Sequence, residues 1–261
     1  MKHHLDGMIL ENKALSTDIY KIRLSLTTET DLNLQPGQFV MLSCPGSMPV
    51  YLKRPFCVYD FKENEITIVY RVIGKGTQNL SQLKPGMKLD LVLPCGQPFK
   101  LEPEGNILMI GGGLGTAPLH YLCQQALALN PSRTIYFYYG TTWLHEKIPL
   151  AFEDHEAVKF FYHSDYINGD YTRHLFDFFS INLPPVPIAH IYVCGPVVLM
   201  KAVAQWAIAR SIPLQASLEQ PMACGTGSCL GCSIPTHQGL KTVCHEGPVF
   251  DGHEILWEEI S

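Results

Sequence analysis

Four cysteines near the carboxyl end constrain this chain more than any other feature. Their spacing is C-x4-C-x2-C-x11-C, and they are Cys224, Cys229, Cys232 and Cys244. The first two intervals are those of a plant-type [2Fe–2S] loop, in which four thiolates hold two irons. Glycines stand between these cysteines and allow the backbone to wrap tightly around a cluster. The spacing therefore predicts a centre that carries one electron at a time.

Zinc is the alternative metal for four thiolates. Structural zinc sites usually pair two short cysteine knuckles, whereas here three cysteines share one loop and the fourth stands alone. The pattern favours iron–sulfur over zinc and over unliganded thiols. The other cysteines are scattered, as reduced buried thiols are in a cytosolic protein, and they are Cys44, Cys57, Cys95, Cys123 and Cys194.

Length and charge argue against several classes of protein. With 261 residues the chain can bury one large core or a few smaller ones. A net charge of -5, and no basic run interleaved with aromatics, argue against a nucleic-acid surface. No stretch of about 20 apolar residues is present to span a bilayer, and the amino end lacks the apolar segment of a secretory signal. We therefore predict a cytoplasmic protein that binds neither nucleic acid nor membrane.

Three regions differ in their pattern of strand-prone, helical and turn-forming residues, and together they predict a multidomain α+β fold. Short β-prone runs broken by glycine and proline fill residues 1–102 and predict an antiparallel β-barrel, as in IYKIRLSL (19–26). Strand patterns alternate with helical patterns in residues 103–217, which predicts a Rossmann-like parallel sheet with helices on both faces. Residues 218–261 are too few to fold by burial alone, so we expect a bound cluster to hold this small domain together.

A glycine-rich turn, GGGLGT (111–116), joins a predicted strand to the helical pattern at 116–129. Such a turn lets a pyrophosphate approach the backbone at the helix N-terminus, with Thr116 as the N-cap. The pattern is not a strict G-x-G-x-x-G, and a tight turn without a ligand is the alternative. A second turn, CGP (194–196), follows a later strand. Because ligands of open α/β sheets bind at the carboxyl ends of strands, both turns are predicted to face one pocket.

Two segments of the first region carry donors for phosphate. RPFC (54–57) begins with Arg54, whose guanidinium can bind a pyrophosphate with two parallel hydrogen bonds. GKGT (74–77) follows the strand pattern at 65–73 and offers N–H groups and a hydroxyl. A surface arginine and a simple turn are the alternatives for these two segments.

Taken in order, these segments resemble the ferredoxin-reductase superfamily. In that superfamily an R-x-[YF]-[ST] segment binds flavin in a β-barrel, and GGG-x-G-x-x-P and C-G-P turns bind the nicotinamide nucleotide. The resemblance narrows to the electron-transfer subunits of class B (NAD-dependent) dihydroorotate dehydrogenase. It is carried by RPFC, YRVIGKGT, LPCGQPF, IGGGLGTAPL, CGPVVLM, and LEQPMACGTGSCLGC followed by VCHEGPVF. It covers nearly the whole chain, and the placement of the cluster cysteines is its most specific part.

The resemblance assigns site residues position by position. It implies that FAD binds at Arg54, Pro55, Phe56, Cys57, Val69, Tyr70, Arg71, Gly76 and Thr77. It implies that NAD, an exchangeable co-substrate, binds at Gly111, Gly112, Gly113, Gly115, Thr116, Cys194 and Gly195. The implied iron ligands are Cys224, Cys229, Cys232 and Cys244. We name no catalytic residue, because hydride transfer between nicotinamide and flavin needs positioning more than proton transfer.

The resemblance also implies a function and a partner. In the family an FMN-containing catalytic subunit oxidises dihydroorotate, and electrons pass through the [2Fe–2S] cluster and FAD to NAD+ in pyrimidine (UMP) biosynthesis. The implied assembly is a heterotetramer with two chains of each type. One alternative is another flavin iron–sulfur NAD(P)H reductase, either a hydrogenase diaphorase-like subunit or a free-standing acceptor reductase. The other is a zinc-bound interaction module without redox chemistry.

Two positions depart from the expected patterns. The family usually has Ser or Thr where this chain has Cys57, and a thiol is a weaker hydrogen-bond donor near the flavin N5. The stretch after the glycine turn has no acidic residue for a ribose, and Arg133 within it instead suggests a 2′-phosphate, so NAD is kept from the resemblance only. His120, His163 and His174 are interpreted as structural or exposed residues.

Overall fold

The computed structural model describes residues 2–28, 32–47, 50–102, 104–171 and 173–260. Within them two large β-sheets, a short hairpin and four α-helices make up the fold. None of the helices in these ranges is long and apolar enough to cross a membrane. The multidomain α+β class expected from the sequence is confirmed.

The first sheet is antiparallel and forms the predicted β-barrel. Its strands are β1 (His3–Ala14), β2 (Ile19–Leu26), β3 (Phe39–Leu42), β4 (Arg54–Cys57), β5 (Asp60–Lys62), β6 (Glu65–Arg71) and β7 (Lys88–Cys95), and their order is β4-β3-β7-β1-β2-β6-β5. Helix α1 (Lys75–Ser81) connects β6 to β7. In β2 the buried Ile22, Leu24 and Leu26 alternate with more exposed residues, so one face of the sheet encloses the core.

The second sheet is mainly parallel and carries helices on both faces. Its central strands are β8 (Ile107–Gly112), β9 (Ile135–Trp143), β10 (Val158–Ile167), β12 (His190–Cys194) and β13 (Leu214–Ser217), with β11 (Asp170–Tyr171) antiparallel beside β10. The helices are α2 (Thr116–Leu129), α3 (Leu175–Ile181) and α4 (Val197–Ile208). Ile107 and Met109 of β8 share a core with α2, whereas Leu108 and Ile110 share one with α3 and α4.

The carboxyl-terminal segment packs against both sheets. It contributes the hairpin β14 (Ser233–Thr236) and β15 (Gly239–Thr242), and then β16 (Val249–Asp251), which pairs antiparallel with β13. The second sheet therefore has the order β11-β10-β9-β8-β12-β13-β16. The buried Ile234 and Trp257 lie in the same hydrophobic cluster as Met41 of the barrel and Leu214 of the second sheet. Apolar packing thus holds a segment for which the sequence predicts only a cluster as support.

An aromatic stack joins the barrel to the second sheet. The rings of Tyr59 and His120 lie 4.0 Å apart and are nearly parallel at 5°. Because the N–H of Ala151 donates to Nε2 of His120 at 3.2 Å, the ring proton lies on Nδ1 and is donated to the Tyr59 carbonyl at 3.0 Å. The Tyr59 hydroxyl donates to the carbonyl of Pro149. His120 is therefore structural, as the sequence predicts, and it fixes the contact between the two sheets.

We expect this contact to weaken in acid. Burial lowers the pKa of His120, so below the ordinary histidine pKa of about 6.5 the unfolded chain takes up a proton that the folded chain resists. The free energy of unfolding should therefore fall as the pH falls from about 7.5 to about 5.5. Urea unfolding at both pH values should show a smaller fall in His120→Asn. An equal fall in the two proteins would contradict this account.

Candidate functional site

The structure brings together the two phosphate-binding segments predicted in the barrel. RPFC forms strand β4 and pairs with β3, so that Pro55 lies opposite Met41 and Cys57 opposite Phe39. The side chain of Arg54 crosses Gly76, since a Cβ built on that glycine would lie 3.5 Å from Arg54 Nε. A Cβ at position 76 would therefore be in ordinary contact with the arginine. The guanidinium and the start of helix α1 form one patch.

The hydroxyl of Thr77 shapes the turn before helix α1. It accepts the N–H groups of Ile73 at 3.0 Å and Gly74 at 3.2 Å, and it donates to the Gly74 carbonyl at 3.1 Å. The sequence predicts that this hydroxyl donates to a phosphate, but its proton is used within the turn. The residues after Gly74 are helical rather than a simple turn. Thr77 thus contributes to the site by fixing the backbone.

Tyr70 of β6 packs against the predicted flavin segment, RPFC (54–57), through the ring of Phe56. Its ring stacks on Tyr20 at 5.7 Å and meets the Phe56 ring edge-on at 5.8 Å. Its hydroxyl donates to Oδ1 of Asn12 at 3.0 Å, and burial raises the pKa of this phenol. Tyr70 therefore holds Phe56 in place with its polar group already satisfied.

Arg71 ties the barrel to the second sheet. Its Nη2 lies 2.8 Å from Oε1 of Glu146, and its Nε lies 3.4 Å from Oδ2 of Asp18. Glu146 is only 8% exposed and also accepts the N–H of Trp143. Val69, two residues earlier on β6, packs in the hydrophobic cluster of the second sheet. Sequence reasoning missed Glu146, which follows β9 without any motif.

The glycine turn and the CGP turn pack directly on each other. A Cβ on Gly115 would lie 2.6 Å from Cα of Gly195, and a Cβ on Gly195 would lie 2.9 Å from Cα of Gly112. Such distances leave no room for any side chain. Gly113 differs, since a Cβ there meets nothing within 4 Å among the described residues. The glycines therefore serve two purposes: most allow close packing of the two turns, and Gly113 leaves open space.

Thr116 is the first residue of helix α2 rather than its cap. The N-cap is Gly115, and no side chain caps the helix. The Thr116 hydroxyl lies 2.4 Å from the position that a Cβ on Gly111 would occupy. Its Oγ1 is buried and has no hydrogen-bond partner among the described residues. The N-cap prediction was wrong because the three residues Gly113–Gly115 form a short 3-10 helix that leads into α2.

Cys57 of the barrel, Cys194 at the end of β12 and Glu219 after β13 share one site. Burial raises the pKa of the Cys57 and Cys194 thiols, and the charge of the nearby Glu219 raises the pKa of both further. Solvent reaches Glu219, and no hydrogen bond or ion pair to it is present in the described part of the chain. Sequence reasoning assigned Glu219 no role; no motif marks it.

We expect Cys57→Ser to retain FAD. Because burial raises the pKa of the Cys57 thiol, the residue is neutral, and serine replaces one neutral donor by another of similar shape. Arg54 and the backbone around Gly76 are unchanged by the substitution. The visible spectrum after gel filtration should show the flavin bands at the wild-type ratio to protein. Loss of these bands would mean that the thiol itself holds the flavin.

Backbone N–H groups point at the predicted iron ligands. The N–H of Gly227 donates to Sγ of Cys244 at 3.1 Å, and that of Cys229 to Sγ of Cys224 at 3.4 Å. The N–H of Cys244 donates to Sγ of Cys232 at 3.4 Å. These donors stabilise negative charge on sulfur, as cluster thiolates require. The residues present therefore fit an iron–sulfur cluster.

Backbone donors also link neighbouring ligands of the loop. The N–H of Cys229 points at the sulfur of Cys224, and the N–H of Cys244 points at the sulfur of Cys232. Such hydrogen bonds to sulfur are a feature of iron–sulfur sites, where they tune the reduction potential.

The electrostatics of the ligands differ with their position. Hydrogen bonds from Thr226 and from the N–H of Cys229 lower the pKa of the Cys224 thiol to about 5. Burial raises the pKa of Cys244 to about 12. Cys229 is exposed, and Leu230 beside it is 64% exposed with a positive φ of 57°. The loop therefore has one buried side and one side open to a partner.

The remaining sequence signals have structural explanations or lie elsewhere. Nε2 of His163 lies 2.8 Å from the Arg173 carbonyl, and His174 pairs with Asp165 at 3.2 Å. Arg133 is 4% exposed and donates to the carbonyl of Glu102 at 2.7 Å. It precedes β9, away from the carboxyl ends of the strands, so the suggestion of a 2′-phosphate contact was wrong.

Family comparisons agree with this geometry. Residues 6–99 match the model described as an oxidoreductase FAD-binding domain. Residues 219–256 match the iron–sulfur cluster binding domain of dihydroorotate dehydrogenase B. The first match contains Arg54 and Gly76, and the second contains all four clustered cysteines.

Full-length relatives decide the family. The dihydroorotate dehydrogenase B (NAD(+)) electron transfer subunit of Caldanaerobacter subterraneus subsp. tengcongensis is 33% identical, over 98% of this chain and 100% of the relative. The subunit of the same name from Clostridium acetobutylicum is 30% identical, over 95% of each chain. This chain belongs to the family of dihydroorotate dehydrogenase B electron transfer subunits. It is a flavin and iron–sulfur oxidoreductase subunit, and as such it works with a catalytic partner subunit.

A solved structure extends the comparison to the whole fold of this electron transfer subunit. The NADH-dependent reduced ferredoxin-NADP oxidoreductase, studied for flavin-based electron bifurcation, has a TM-score of 0.82 and 25% identity. The match covers 97% of this chain and 90% of that one. The arrangement of barrel, parallel sheet and carboxyl-terminal segment is therefore shared beyond the family.

Proposed function

We propose that this chain carries electrons from an FMN-containing catalytic subunit, which oxidises dihydroorotate, through a [2Fe–2S] cluster and FAD to NAD+ in pyrimidine biosynthesis. One contact carries the proposal. Gly225 of the cluster loop packs on Met41, since a Cβ there would lie 2.8 Å from Met41 Sδ. Met41 pairs with Pro55 of the flavin segment. Met41 thus contacts the cluster loop with its side chain and pairs through its backbone with the segment that we assign to the flavin.

The barrel supplies the residues that would hold FAD. These are Arg54, Pro55, Phe56, Cys57, Val69, Tyr70, Arg71, Gly76 and Thr77. FAD, when bound, exchanges a hydride with NAD and single electrons with the cluster. Arg54 provides positive charge for the pyrophosphate, while Tyr70 and Thr77 fix the strand and the turn on which the group rests.

The carboxyl edge of the second sheet supplies the residues for NAD. These are Gly111, Gly112, Gly113, Gly115, Thr116, Cys194 and Gly195. Further along this edge, Trp143 and Tyr166 stack at 4.6 Å beside Asp165. NAD is proposed over NADP because the relatives are named dihydroorotate dehydrogenase B (NAD(+)) electron transfer subunits. Glu219 adds a carboxyl near Cys194, where the nicotinamide would lie.

The cluster ligands are Cys224, Cys229, Cys232 and Cys244, and their loop offers a docking surface for the catalytic subunit. Cys229 is the exposed ligand, and the exposed Leu230 next to it adopts a backbone conformation that non-glycine residues rarely take. An exposed leucine held in this conformation fits an apolar anchor for a partner. Electrons would enter here, at the exposed part of the loop.

We propose a heterotetramer with two chains of each type, acting in the cytoplasm. Within each chain we propose an FAD unit at residues 1–102, an NAD unit at 103–217 and a cluster unit at 218–261. The pairing of β16 with β13 makes the last two units share one sheet, so they should unfold together.

Mixing the purified chain with the FMN subunit tests the function. We expect dihydroorotate-dependent reduction of NAD+ by the mixture and by neither chain alone. NADH should reduce the flavin faster than NADPH at equal concentration. Co-elution of the two subunits in gel filtration, with molar mass from light scattering, gives the stoichiometry. Leu230→Asp should prevent co-elution and leave the flavin and cluster spectra unchanged.

A second candidate is another flavin iron–sulfur reductase, favoured by the shared fold of the ferredoxin-NADP oxidoreductase. It predicts NADH oxidation with a small redox protein such as ferredoxin and no stimulation by the FMN subunit. Lack of dihydroorotate-dependent activity in a stable mixed complex would favour this candidate. Dye reduction by the chain alone does not separate the two.

A further inference from the structure

A lysine from the opposite end of the chain touches the cluster loop. The Nζ of Lys2 donates to the carbonyl of Gly225 at 3.0 Å. Gly225 directly follows the ligand Cys224, and its φ of +67° turns the backbone toward Met41. Lys2 immediately precedes β1, whose first residue, His3, pairs with Leu93 of β7. The backbone that presents the ammonium group is therefore held in the sheet next to this contact.

Lys2 is an exposed residue, and a second observation shows another group that its charge lies near. Cys95, at the end of β7, is fully buried, and burial raises the pKa of its thiol. The positive charge of Lys2 acts in the opposite direction on this thiol. The ammonium group is thus close to both the barrel end and the cluster loop.

We propose that Lys2 is a positioning residue that raises the reduction potential of the iron–sulfur cluster by placing a fixed positive charge against the loop between its ligands. The inference rests on the proposed ligation of the cluster by Cys224, Cys229, Cys232 and Cys244. In the step concerned, the cluster would accept one electron from the catalytic subunit, and no bond to Lys2 would form or break. Lys2 changes the reduction potential through the electric field of its positive charge, and its hydrogen bond to the loop holds that charge in place.

The sign of the change in reduction potential follows from the charge of the cluster. A cluster held by four thiolates is an anion when oxidised, and reduction adds one more negative charge. A nearby cation therefore stabilises the reduced form more than the oxidised form. Near a protein surface the effective dielectric constant is about 20, so a unit charge about 12 Å from the cluster changes such an equilibrium by about tenfold.

Neighbouring charged groups are engaged elsewhere. The carboxylate of Glu246, two residues after the ligand Cys244, accepts the N–H of Thr242 at 2.6 Å. Asp90, on the strand that pairs with β1, is bound by His4 and Lys53. Among the lysines and arginines of the described residues, Lys2 donates a hydrogen bond directly to the loop between the ligands.

Redox titration followed by EPR tests the proposal on the full complex. Lys2→Gln keeps a hydrogen-bond donor without charge, and Lys2→Arg keeps the charge. Lys62→Gln removes an exposed charge from β5, at the far edge of the barrel sheet. We expect Lys2→Gln to shift the cluster equilibrium about tenfold toward the oxidised form, which is about 59 mV for one electron. Lys2→Arg and Lys62→Gln should match the wild type.

Several outcomes of the titration would contradict the proposed role of Lys2. A wild-type potential in Lys2→Gln, or an equal shift in Lys2→Arg, would overturn the proposal. So would loss of iron from both Lys2 variants, because Lys2 would then be a structural anchor. If only Lys2→Gln loses iron, the wild-type potential is measured against salt: a fall as salt screens the charge supports the proposal, and no change refutes it. A wild type without any cluster signal would instead defeat the proposed ligation.

Discussion

Cys232→Ala will leave a protein that binds FAD but carries no iron–sulfur cluster and no longer couples to its catalytic subunit. Cys232 is 2% exposed, and its sulfur accepts the N–H of Cys244, so no solvent ligand can replace it without rearranging the loop. Loss of a group that only supports a metal ligand already lowers metal affinity or activity by about 10- to 100-fold. We therefore expect dihydroorotate-dependent NAD+ reduction to fall by more than about 100-fold.

Three measurements on one preparation check this result. Iron and acid-labile sulfide should be absent, the EPR signal of the reduced protein should vanish, and NADH-driven reduction of a dye through the flavin should remain. Cys123→Ala is the matched control, because it removes the same atom from a fully buried cysteine in helix α2. Cys123→Ala should retain cluster and coupling. A full cluster in Cys232→Ala would show that this residue is not a ligand.

Gly115→Ala will destabilise the nucleotide half of the protein, although its backbone suits any residue. Gly115 has φ -60° and ψ -13°, an ordinary right-handed conformation. The added methyl group would lie 2.6 Å from the backbone of Gly195, which cannot move aside as a flexible side chain can. Overpacking of this kind costs about 1–3 kcal/mol. We expect the free energy of unfolding to fall by about 2 kcal/mol and the KM for NADH to rise, because the two turns separate.

Gly113→Ala separates packing from ligand approach. Its φ is +54°, which costs about 1 kcal/mol for alanine, but the methyl group meets no described atom within 4 Å. Urea unfolding and NADH titration of both variants should therefore diverge. Gly115→Ala should lose more stability, and Gly113→Ala should lose more NADH affinity than stability. Wild-type stability in Gly115→Ala would contradict the packing account.

Local patterns predicted much of the fold. The β2 strand at residues 19–26 and the helical pattern at 116–129 agree with the observed elements, except that Thr116 is the first helical residue and not the predicted N-cap. Their patterns have a clear period and definite ends, so local preference and burial point the same way. Strand β1 was not predicted, because HHLDGMILENKA mixes charged and apolar residues over 12 positions. That strand is stabilised by pairing on both sides, with β2 and β7, and its sequence does not show this.

The sequence alone determined the chemistry that this protein offers: four spaced cysteines for iron, an arginine strand for flavin phosphates and glycine turns for a dinucleotide. Each of these is written in a few consecutive residues, because ligand spacing and turn conformation are local properties. Only the tertiary structure decided which residues connect them: Lys2 with Gly225, Arg71 with Glu146, and Gly115 with Gly195. These partners lie far apart along the chain, and each contact exists only because two sheets and the final segment pack together. No local period or spacing records such a contact.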